Sequence, residues 1–122
     1  MPVVLKIDSR RKVVYSSFYG KVTDAEVLGH GSAIATDPAF NRDFSEIVDL
    51  SAVDEITVSE ATLAALAGSK SLYSESVRHI VVAPAELAFE LATRYKALAQ
   101  KSRPNLIVVR TRAEAYRALE KK

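Results

Sequence analysis

The chain has no cysteine and no tryptophan, one methionine, and only four glycines and four prolines in 122 residues. Without cysteine there is no disulfide framework, no thiolate metal site and no cysteine nucleophile. No two of the four glycines fall in a phosphate-cradling pattern, so a glycine-rich nucleotide loop is not expected. Two histidines, His30 and His79, stand alone without a second ligand at metal spacing, so no metal or cofactor is expected. His30-Gly31-Ser32 is not a nucleophile elbow, which needs glycines on both sides of the serine. Long apolar runs are also missing. The opening MPVVLKID meets a charge at Lys6, so neither a signal peptide nor a membrane span is expected, and the cytoplasm is the default location. A net charge of +2 is too small to point to nucleic acid.

What is present is the balance of a folded globular protein, 48% hydrophobic and 26% charged, at the length of one domain spanning 1–122. Charge is uneven along it. Residues 1–76 carry seven basic and eleven acidic side chains, and residues 77–122 carry ten and four. The basic residues are scattered, which fits neutralisation of the acidic half within one fold better than an acidic partner.

Val3 to Ile7 and Lys12 to Gly20 read as two strands joined by a polar turn, an antiparallel hairpin that Gly20 ends. Three segments then share a helix-start signal. Thr23 to Glu26, Thr57 to Glu60 and Thr111 to Glu114 all match the capping box, in which hydroxyl and carboxylate satisfy each other's backbone N–H groups. The first helix is expected from Asp24 to Thr36, with Val27, Gly31, Ile34 and Ala35 inward and Gly31 allowing close approach to the sheet. It stops at Asp37-Pro38, because proline disfavours helix in the preceding residue. Glu46 to Leu50 reads as a third strand. The second helix fades at Gly68-Ser69, and Val77 to Val82 is a fourth strand apolar enough to be buried on both faces. Pro84 suits the first position of a third helix, whose Leu87, Leu91, Tyr95 and Leu98 form a core-facing stripe. Asn105 to Arg110 is the fifth strand. A last helix from Arg112 offers Ala115, Tyr116, Ala118 and Leu119 for packing.

The expected fold is therefore a single α/β domain in the order β-β-α-β-α-β-α-β-α, with a mixed, mostly parallel five-stranded sheet and four helices. Open sheets of this kind usually bind at the rim formed by the C-terminal strand ends.

The stretch Val48-Asp49-Leu50-Ser51 through Glu60 resembles the sulfate-transporter and anti-sigma-factor-antagonist (STAS) domain, the SpoIIAA-like fold, where a strand ending Asp-Leu-Ser leads to an Asp-Ser-Ser-Gly helix start. Phe89 to Tyr95 and Glu114 to Tyr116 are similar to less-studied bacterial relatives. The likeness in element order covers nearly the whole chain; the motif covers about a dozen positions. In signalling members of the family a serine at that helix start is phosphorylated and switches partner binding. Laid onto this chain, that serine falls on Ser59, and the flanking aspartate, serine and glycine become Thr57, Val58 and Glu60. Glu60 would repel a phosphate, and the same residues read more simply as a plain helix cap, with Thr57 capping, Glu60 completing the box and Ser59 a polar residue of the first turn.

The resemblance implies a non-catalytic regulatory module that binds a protein partner or itself as a homodimer, through a rim holding Ser51, Asp54, Thr57 and Ser59. Relatives of this fold also include lipid-binding domains, so the other reading is a carrier of a small apolar ligand. That reading expects a cavity between sheet and helices near Phe40, Phe44 and Phe89, with Phe89 and Arg94 also available as an interface. Asp49, Asp54 and Glu55 form one carboxylate cluster, read as ordinary surface charge. No nucleophile–base pair can be named, so enzyme activity is not expected.

Overall fold

The computed structural model describes residues 3–120. β1 (Val3–Asp8) and β2 (Val13–Thr23) pair antiparallel. The turn between them is closed by the Asp8 carboxylate, which accepts the Arg11 N–H at 3.0 Å, with Lys12 at a positive φ of 61°. Then follow α1 (Asp24–Thr36), β3 (Ser45–Thr57), α2 (Glu60–Gly68), β4 (His79–Val82), α3 (Glu86–Leu98), β5 (Leu106–Val109) and α4 (Arg112–Glu120). The sheet runs β1-β2-β3-β4-β5 in chain order, and every pair after the first is parallel. This is the expected single-domain α/β architecture.

Sequential parallel strands joined by crossovers of one hand carry all their connecting helices on the same face. Accordingly α1 and α3 pack on one side of the sheet, with α2 lying against them, while α4 covers β3, β4 and β5 from the other. Strand alternation matches this division. Val13, Ile47, Ile80 and Val82 meet Ala115 of α4, whereas Val14 joins Ile34 and Phe44, and Val81 joins Ala88 and Ala92. Ile80 is fully buried, worth about 1.5–3 kcal/mol of apolar transfer on its own.

Two of the three capping boxes form. The Glu26 carboxylate accepts the Thr23 N–H at 2.7 Å, and Glu114 accepts the Thr111 N–H at 3.1 Å while Thr111 Oγ1 accepts the Glu114 N–H. The box expected at Thr57 does not form. Thr57 ends β3, paired with Thr23 across the sheet, and Ser59 caps α2 instead by accepting the Thr62 N–H at 3.1 Å.

The strands also outrun their expected ends. β2 continues past Gly20, which takes φ +66° at a register shift, and β3 runs to Thr57, well past Leu50. Beyond the reach of β1 and β4, β2 and β3 thus continue as a two-stranded parallel arm. α3 begins at Glu86, so Pro84 precedes the helix rather than opening it. Its buried stripe is Ala88 and Ala92; Leu87 is 74% exposed and Leu98 also faces out. Small side chains there let α3 sit close on Val81 and Ala83. In α1, Ala35 is exposed, and a Cβ on Gly31 would meet open space, so no close approach requires that glycine. Tyr116 of α4 is also exposed, touching Tyr15 with ring centroids 6.4 Å apart.

Candidate functional site

A cavity of about 210 Å³ lies between the sheet and α1, α2 and α3. Its lining divides by position along the strands. Val22, Val27, Ile56, Val58 and Leu63 come from the arm and the adjoining helix starts, and with Phe18 just before the arm they make an apolar end. At the opposite end, Glu46, His79 and Leu106 are paired in register at the N-terminal ends of β3, β4 and β5.

The polar end is a bonded cluster. Glu46 Oε1 accepts from His79 Nδ1 at 2.8 Å, and Glu46 Oε2 accepts from the Tyr73 hydroxyl at 3.2 Å. The Tyr73 ring meets His79 edge-on at 4.9 Å and Phe40 edge-on at 5.2 Å. Burial alone would push the Glu46 carboxyl up. The His79 hydrogen bond, the charges of His79 and His30, and the Tyr73 hydroxyl outweigh burial and hold it below the ordinary carboxylate value. Burial, with the Glu46 charge and hydrogen bond beside it, drives the Tyr73 phenol far up, so it stays a donor.

His30 lines the cavity from α1 and lies 2.5 Å from Ser16 Oγ through Nε2. Burial lowers its pKa against the opposing pull of Glu46, so the ring is neutral near neutral pH. The contact brings together a hydroxyl and a base that are far apart in sequence. Yet Ser16 is buried in the middle of β2, with Leu5 and Val48 paired on either side, so its flanking backbone is committed to the sheet. The pair therefore lacks the exposed nucleophile and the free oxyanion donors that acyl transfer needs.

The residues singled out in the sequence do not gather here. Phe44 is core, Phe40 packs on Tyr73, and Phe89 lies beneath the Arg110 guanidinium at 3.6 Å; none lines the cavity. Arg94 forms an ion pair with Glu60, tying α3 to α2. Ser51 and Thr57 stand on one strand, roughly 20 Å apart at the usual rise, so they do not form a compact rim. Ser51 donates its N–H and hydroxyl to Asp49, which also takes the Arg112 Nε at 2.7 Å and so pins α4 to β3. Asp54 and Glu55 are exposed farther along β3, away from the largely buried Asp49, and Glu55 pairs with Lys21 at 3.6 Å. Ser59 is exposed and donates its N–H and hydroxyl to the two Asp24 oxygens at 2.8 and 2.9 Å, which holds the Asp24 carboxyl below its ordinary value.

Among the described residues, no group of three metal-ligating side chains assembles, and no helix is long and apolar enough to cross a membrane. No family model matches the chain, and no curated protein matches it.

Proposed function

We propose that this chain is a non-catalytic cytoplasmic binding domain of the STAS or SpoIIAA-like kind, holding one small, largely apolar ligand between its sheet and α1–α3. The observation that carries this reading is the cavity itself, apolar at one end and hydrogen-bonding at the other. An apolar void of about 150 Å³ already admits benzene, so 210 Å³ suits a ring with a short substituent or a chain of about eight carbons. α2 forms the outer wall through Leu63 and Leu66. It is held at its start by Ser59–Asp24 and Glu60–Arg94, and at its end by Ser102 Oγ donating to the Ala67 carbonyl at 2.7 Å. Native mass spectrometry of protein taken directly from cells tests the reading. One bound organic molecule is expected; repeated preparations free of ligand, with no uptake of added alkyl or aromatic compounds, would overturn it.

A protein-contact role is a second reading. It is favoured by the edge strand β1, which α4 leaves uncovered and where Val4 is 58% exposed. A second copy of the chain or a regulatory partner would bind there. In neither reading is a phosphate on Ser59 needed, since it would face the carboxylates of Asp24 and Glu60.

A further inference from the structure

The geometry points to a ligand of one chemical class: a monocarboxylate whose compact apolar tail fills the cavity while its carboxylate meets Arg103 and Tyr95. This rests on the cavity being a binding site and names what it selects. Arg103 lies in the turn between α3 and β5, three residues before Leu106, and its side chain lines the polar end of the cavity. Its hydrogen bonds run through Nη1 alone, to the Leu66 carbonyl at 3.2 Å, the Ser69 carbonyl at 3.4 Å and Ser102 Oγ at 2.8 Å. Those acceptors are neutral. Among the described residues no carboxylate pairs with Arg103, and its Nε and Nη2 meet no acceptor. A half-buried guanidinium with spare donors and no counter-charge is best satisfied by an anionic, planar acceptor.

Tyr95 supplies the second donor. Its ring lines the cavity 5.8 Å from the Arg103 guanidinium carbon, and its hydroxyl has no hydrogen-bond partner among the described residues. Glu46, the cavity's only lining carboxylate among the described residues, has both oxygens already occupied by His79 and Tyr73, so it offers no competing partner to Arg103. The tail then lies along the sheet toward the apolar lining of Phe18, Val22 and Ile56. The site is thus amphipathic, with charge at the N-terminal strand ends and hydrocarbon at the arm.

The test compares octanoate with octan-1-ol, equal in carbon count, by calorimetric titration of the whole chain at neutral pH. Octanoate is expected to bind about tenfold or more tightly than the alcohol, the gain of a charge-assisted hydrogen bond over a neutral one. Arg103→Gln should abolish that preference. Because Arg103 also holds the end of α2, Tyr95→Phe provides a second variant that keeps the ring; it should narrow the preference and leave the fold intact. Equal or tighter binding of the alcohol, or a preference unmoved by both variants, would overturn the carboxylate assignment and leave the cavity reading standing. Binding of neither compound would overturn the cavity reading itself.

Discussion

Replacing Glu46 by alanine should be among the most damaging single changes in the protein. The substitution removes the acceptor for His79 Nδ1 and for the Tyr73 hydroxyl together, in residues only 3% and 6% exposed. Each buried donor left unpaired costs about 1–3 kcal/mol, and two are left here. A loss of about 3–5 kcal/mol is therefore expected, a large share of the roughly 5–15 kcal/mol that holds a domain together. In melting temperature this is a fall of about 10–20 °C for a chain of this size. Tyr73→Phe, which leaves Glu46 and His79 paired, should cost only about 1 kcal/mol. Urea denaturation of the three proteins measures both differences. The sign of the pH dependence follows from linkage. Glu46 titrates below its ordinary 4.5 in the folded state, so its contribution is complete above that value and is lost as pH falls through the folded one. The deficit of Glu46→Ala should therefore shrink as the solution is made acid. His30, lowered from 6.5, likewise contributes fully above that value and less as pH falls below it, a slope that His30→Gln should flatten. A deficit under about 1 kcal/mol for Glu46→Ala at neutral pH would refute the reasoning, because the cluster would then not be a buried, mutually dependent network.

Other substitutions separate backbone effects from packing. Gly29 and Gly31 lie inside α1 with open space where a Cβ would stand, so alanine at either should raise stability by about 0.5–1 kcal/mol in thermal or chemical melts. At Gly20 there is equal space but φ is +66°, so Gly20→Ala should instead cost about 1–2 kcal/mol. Asp49→Asn should weaken the tie between α4 and β3 by about 1–2 kcal/mol, discounted because Arg112 is largely exposed, and raise amide exchange across α4.

How much of this was legible beforehand depended on whether the signal was local. The order of elements along the chain, the helix count and the ends of α1 follow from patterns within a few residues: Thr23 with Glu26 at its start and Asp37-Pro38 at its end. The length of β3 does not. Ser51 to Thr57 is mixed in polarity with much of it exposed, and it is a strand because β2 pairs with it, through register shifts that no short pattern encodes. The same pairing moves the α2 cap from Thr57 to Ser59. In α3 two stripes competed at helical spacing, and the alanines were buried because the sheet lies close there. The site was least legible. Glu46 and His79 are neighbours only through the β3–β4 register, and Arg103 reaches the cavity from a turn. A trace was present in the strand alternation, since Glu46 shares the inward face with Val48 and Leu50, and His79 opens an otherwise apolar strand.

Methyl-resolved NMR during titration with octan-1-ol tests the central claim most directly. If the cavity holds the ligand, shifts should concentrate at Val22, Val27, Ile56, Leu63, Leu66 and Leu91, which line it. Ile107, Val109 and Leu119, packed against the α4 side of the sheet, should stay still. No shift at saturating alcohol, or shifts confined to the α4 side, would contradict a binding cavity between the sheet and α1–α3.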